Sequence, residues 1–114
     1  MATTVTESTD IDLDRAPDLA ILEGFATRVA LDRAAAYNAV LVYLGDRLGI
    51  WRELASGQRF TSSQLAERCG IAERYLREWL STQAAAGYVE YDASDKTFSL
   101  PVEHGLVLPS GVAG

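Results

Sequence analysis

The segment Ala34 to Leu54, AAAYNAVLVYLGDRLGIWREL, constrains this chain more than any other, because between Ala34 and Leu44 its only polar residue is Asn38. A helix made from that run is apolar almost all the way round, and such a helix has to be covered on every side. The run is too short to cross a bilayer, which takes about 20 consecutive apolar residues. A domain of this size has little surface with which to bury the helix alone. The expected cover is another protein surface, either a second copy of the chain or a larger domain that accompanies it.

With 114 residues, 48% of them apolar, one globular domain with its own core is the natural expectation. The net charge of -6 comes from ten Lys and Arg against sixteen Asp and Glu. Half of that excess lies before Pro17, where Glu7, Asp10, Asp12 and Asp14 face only Arg15. An acidic chain is poorly suited to phosphate backbones, since sequence-independent nucleic-acid affinity depends on Lys and Arg displacing counterions. Anionic membrane surfaces are disfavoured for the same reason. Cys69 is the sole cysteine, so no internal disulfide forms. The N-terminus has neither a basic start nor an apolar run, which excludes a signal peptide and makes the cytoplasm the expected location.

Residues 1–16 are rich in Thr, Ser and Asp and read as a disordered acidic tail. Pro17 and Asp18 open a helical pattern, with Pro in the first turn and Asp at the positive end of the dipole. Leu22, Phe25, Ala26 and Val29 recur at helical spacing opposite Glu23, Arg28, Asp32 and Arg33. The pattern runs without a Pro or Gly break into the apolar segment, so one long helix or two in series extend to about Leu48. Gly45 and Gly49 punctuate its end, Gly49 being the better stop. A short helix, Ile50 to Ala55, follows.

Thr61 to Gln64 reads as a capping box that starts a helix at Ser62 and ends at Gly70. A second helix begins near Ala72, carries Tyr75, Leu76, Trp79, Leu80 and Gln83 on one side, and stops at Gly87. Two helices joined by a glycine turn have the layout of a helix-turn-helix. The period then falls to two: Tyr88 to Tyr91 and Thr97 to Leu100 read as strands around a turn at Asp92 to Lys96. Pro101 admits a short helical turn through His104, and residues 109–114 read as the start of a linker. The expected fold is mainly α with a small β-wing, a winged helix-turn-helix over residues 17–108 preceded by one long or two serial helices.

Three stretches carry a family resemblance: LVYLGDRLGIWRELASG, TSSQLAERCGIAERYLREWLSTQAAAGYVEYD and FSLPVEHGLVL. Their most specific pieces are LGDRLG at Leu44 to Gly49, the run from Ile71 to Tyr88, and LPVEH at Leu100 to His104. From about Val29 to Leu108 the chain resembles the N-terminal winged-helix domain of class I S-adenosylmethionine-dependent methyltransferases, especially an actinobacterial group. The resemblance implies a dimerisation platform and substrate lid whose long helices pack with a partner subunit. In full-length relatives a following Rossmann-like domain holds S-adenosylmethionine. No glycine-rich GxG loop occurs in these residues, so no cofactor and no catalytic residue is expected in this chain.

His104 and Cys69 have no metal-ligand spacing around them, and nothing in the sequence joins them as nucleophile and base. Local packing is the expected role of each. On the second helix of the helix-turn-helix, Arg74 and Arg77, with Lys96 on the wing, are the candidate DNA contacts. Glu73 and Glu78 sit beside the arginines, and Glu73 with Arg77 is more simply a helix-surface pair. From Thr61 to Leu100 four basic residues meet six acidic ones, a poor surface for DNA.

Tyr37, Tyr43 and Trp51 are candidates for a substrate lid, and Trp79 for the core. Val40, Leu41, Tyr43, Leu44 and Leu48 are candidates for a homodimer interface. Three readings follow. The first is a dimerisation and lid module, inactive alone. The second is a small dimeric winged-helix regulator of transcription, which the charge disfavours. The third is a lid acting in trans on a separate cofactor-binding domain, or a binder of an apolar small molecule.

Overall fold

The computed structural model describes residues 15–108. The tail expected over residues 1–16 lies outside the described residues except for Arg15 and Ala16, as does the linker expected over residues 109–114. The elements are α1 (Leu19–Arg47), α2 (Ile50–Leu54), α3 (Ser62–Cys69), α4 (Glu73–Ala85), β1 (Glu90–Asp92), β2 (Thr97–Ser99) and α5 (Val102–Gly105). Of the two N-terminal arrangements left open, the single long helix is the one formed. Asp18 caps it: its Oδ1 accepts from the amides of Ala20 and Ile21 at 3.0 and 3.3 Å. Pro17 therefore stands outside the helix rather than in its first turn.

The chain divides into two compact units, Met1–Arg33 and Ala34–Gly114. In the first, the helical pattern is present, yet Leu22 and Phe25 are 53% and 63% exposed. The second is a winged helix. Its capping box forms as expected, Thr61 Oγ1 accepting from the Gln64 amide at 3.2 Å while Gln64 Oε1 accepts from the Thr61 amide at 2.9 Å. Phe60 and Leu65 occupy the two positions that staple such an entry, and both are buried in the core.

Gly70 and Gly87 reverse the chain after α3 and α4 with φ of 70° and 83°. In each case the next amide reaches back to the last turn, Ile71 to the Ala66 carbonyl at 3.1 Å and Tyr88 to the Gln83 carbonyl at 2.9 Å. That pairing, with glycine in the left-handed region, is the Schellman stop. The wing pairs Glu90 with Ser99, Tyr91 with Phe98 and Asp92 with Thr97, antiparallel. Phe60 adds an isolated bridge to β2 by exchanging backbone hydrogen bonds with Phe98 at 2.9 and 2.7 Å. Tyr88 and Val89 precede the paired strand, which starts at Glu90. Tyr75 departs from the inner face expected for it and is 71% exposed. The inward stripe of α4 is Leu76, Trp79, Leu80 and Gln83, and Tyr75 lies about a quarter turn off its centre.

What seats α1 on this core is a pair of tryptophans. Trp51 and Trp79 stand edge to face, 4.8 Å apart at 62°. Trp51 Nε1 donates to the Val42 carbonyl and Trp79 Nε1 to the Leu41 carbonyl, both at 2.9 Å. Gly45 is the buried point at which the rings meet the helix. A Cβ there would lie 2.7 Å from Trp51 Nε1 and closer still to the Trp79 ring. Gly45 thus serves close approach inside α1, not its termination, and Gly49, with φ 78°, makes the stop. About two turns before Gly45, Asn38, the lone polar residue of the apolar run, accepts from Gln83 Nε2 at 2.8 Å.

Gly45→Ala gains about 1 kcal/mol of helix propensity but forces two rigid rings apart. A net loss of roughly 1–3 kcal/mol is expected, from the usual cost of overpacking, read as a lowered melting temperature. Gly24→Ala, whose Cβ would meet nothing within 4 Å, is the control and should be neutral or stabilising.

Candidate functional site

Two surfaces of the winged-helix unit carry the residues singled out from the sequence. The first is the side of α1 turned away from the tryptophans. Tyr37, Val40, Leu44 and Leu48 recur at helical spacing on one stripe, 67%, 64%, 42% and 45% exposed, with Tyr43 beside them at 62%. The segment is therefore covered on one face only. Leu41, expected at an interface, is instead half-buried against the chain's own core with Val42. Its position falls between the outer stripe and the Asn38–Gly45 seam. Trp51, expected in a lid, is fully buried and cannot face a substrate. The two tyrosines of that expectation, Tyr37 and Tyr43, do lie on the exposed side.

The second surface is the helix-turn-helix and wing. Arg74 is exposed, and Arg77 Nε stands 3.4 Å from Glu73 Oε2, the helix-surface pair expected. Glu73 is also the acceptor for the Ser62 hydroxyl. Lys96 sits in the wing turn with φ 58°.

Sequence reasoning missed Arg59, which lies 33 residues before its partner and offers no local signal. Its Nη2 bridges Asp92 at 2.7 Å and Asp95 at 3.3 Å. Each of these acids also closes a turn: Asp92 Oδ1 accepts from the Ser94 hydroxyl and amide, and Asp95 Oδ1 from those of Thr97. The Ser94 bonds, with Arg59 next, hold the Asp92 carboxyl down to about 2.

His104 Nδ1 lies 2.7 Å from the Tyr88 carbonyl. A carbonyl only accepts, so Nδ1 carries the proton. Cys69 is half-buried; burial, and secondarily the charge of Glu53, pushes its thiol up, away from the thiolate a nucleophile needs. Among the described residues no group of three or more His, Cys, Asp or Glu could hold a metal. No described helix is long and apolar enough to cross a membrane.

A family model described as the Rv2258c-like winged HTH domain matches residues 36–109. The chain belongs to that family. The match begins within α1, close to the Ala34 boundary of the winged-helix unit. Among solved structures, mitomycin 7-O-methyltransferase MmcR is similar with a TM-score of 0.71 and 25% identity over 81% of this chain. A structure described as a putative O-methyltransferase from Nostoc punctiforme PCC 73102 is similar in fold, with a TM-score of 0.58 and 20% identity over 85% of this chain. The chain spans only 27% of the length of either. A search of curated proteins finds no match. As a winged-HTH domain it resembles the N-terminal domain of O-methyltransferases.

The Asp92 carboxyl should titrate near 2 when followed by carboxyl-carbon NMR. Because its folded pKa is depressed, the hold on the wing is complete above the unfolded value of about 3.9 and is lost as pH falls through the folded one. Ser94→Ala and Arg59→Ala should each raise the Asp92 pKa.

Proposed function

We propose that this chain is a dimerisation and substrate-lid module of the kind that precedes the catalytic domain of an O-methyltransferase, without methyl-transfer activity of its own. The observation that carries this is the row of large apolar side chains left exposed on α1 and in the turn that follows it, within the family-matched unit: Tyr37, Val40, Tyr43, Leu44 and Leu48. A run of that kind marks an interaction surface. The likeness to O-methyltransferases supplies the class. The occupant proposed is a second copy of the chain, with the outer stripes of two α1 helices packed together. Fully burying one such side chain contributes about 1.5–3 kcal/mol before ordering costs, so four or five from each subunit suffice to hold a pair. Tyr37 and Tyr43, on the exposed side, are the residues proposed to reach a substrate. S-adenosylmethionine would be held by a separate cofactor-binding domain, and the chain would work in the cytoplasm.

The purified chain should scatter light as a species of twice the chain mass. Leu44→Asp and Val40→Asp should each give monomer with the near-ultraviolet circular dichroism of the Trp51–Trp79 pair intact. That signal separates lost association from lost folding. A monomeric parent overturns the proposal. S-adenosylmethionine added in a calorimeter should give no binding heat, and a saturable signal would show that these residues hold the cofactor after all.

A further inference from the structure

The groove between α4 and the wing plays no part in the assembly proposed above, and its chemistry points to a ligand. Its volume is about 400 Å³, within the range of roughly 300–1,000 Å³ typical of small-molecule sites. Its floor is apolar and aromatic. Tyr91 and Phe98 are cross-strand partners with ring centroids 4.7 Å apart, and Ala84 of α4 closes the other side. Its rim is cationic, with Arg77 from α4 and Lys96 from the wing turn.

The charge count along the sequence hid this, because it averaged two faces of the wing. In β1 side chains alternate, so Glu90 and Asp92 lie on the face opposite Tyr91. Asp92 and Asp95 are, moreover, engaged by Arg59. Glu73, which contacts the lining residues Ser62 and Arg77, is already shared between the Ser62 hydroxyl and Arg77 Nε. Among the described residues Lys96 makes no ion pair, and Arg77 pairs with Glu73 through Nε. Lys96 is also the one described non-glycine residue with positive φ, 58°. Glycine or asparagine is the usual occupant of that conformation, so a lysine there stands against local preference, as residues at binding sites often do.

We propose that this groove binds a small aromatic carboxylate, its ring laid on Tyr91 and its carboxylate held between Arg77 and Lys96. The dimensions suit a molecule of one or two rings. The acidic chain, with no basic stripe to follow a phosphate backbone, favours a small anion over nucleic acid.

The test titrates the isotope-labelled full chain with 2-naphthoate and follows amide resonances by NMR. Saturable shifts centred on Ala84, Tyr91 and Phe98 are expected. Lys96→Gln should weaken them on the order of tenfold, as loss of a charge-assisted contact does, and Arg77→Gln by a similar factor. Lys96 is exposed on a turn, so its variant remains informative even where removal of the Arg77–Glu73 pair disturbs α4. The uncharged 2-naphthamide should bind far more weakly than the acid. Absence of saturation, equal binding of the amide, or shifts confined to the Val40–Leu44 stripe would overturn the proposal. So would a short DNA duplex that shifts the same amides while 2-naphthoate does not, which would assign the groove to phosphate backbone.

Discussion

The second unit depends on the way two indole rings hold one helix. Trp51 comes from the short helix after α1 and Trp79 from the helix-turn-helix, 28 residues later. Each donates its N–H to a carbonyl of α1, at Val42 and Leu41. Those carbonyls already belong to the helix ladder, so the tryptophans add a second donor to acceptors with two lone pairs. The geometry works only because Gly45 lets the rings approach the backbone. A glycine inside a helix is unfavourable by about 1 kcal/mol relative to alanine, and here close packing and two satisfied indoles offset it.

From that seam follows the sidedness of the apolar segment. Once Asn38, Leu41, Val42 and Gly45 face the core, helical geometry leaves Tyr37, Val40, Leu44 and Leu48 on the other side. The Asn38–Gln83 bond fixes this rotation, because turning α1 would strip a buried amide of its partner, a loss of roughly 1–3 kcal/mol. Gln83 is fully buried, and its backbone carbonyl also receives the Tyr88 amide at the Schellman stop. One residue thus ties the seat of α1 to the start of the wing.

The wing repeats this division of faces on a smaller scale. Arg59, brought in by the Phe60–Phe98 bridge, gathers the acids of the turn, and the Tyr91–Phe98 pair occupies the opposite face beside Lys96. Charge that looks adverse when summed along the chain is thereby partitioned in space. Exposed ion pairs of this sort add little stability.

Local rules in the sequence determined the order of elements and their limits. Thr61 with Gln64 specifies a helix start, Gly70 and Gly87 specify stops, and the change of period after Gly87 specifies the hairpin; each is a matter of a few neighbouring residues. The family resemblance was legible on the same grounds, in runs such as LGDRLG and LPVEH. Only the tertiary structure decided that Trp51 is core rather than lid, that Leu41 faces inward, that Gly45 is a packing site and that Tyr75 is exposed. These depend on which of several apolar positions on one helix meets a partner distant in the chain. An almost uniformly apolar run carries no period from which that side could be read. Arg59 was invisible for a related reason: its partners lie more than thirty residues away, brought within reach by a backbone bridge that no local pattern encodes.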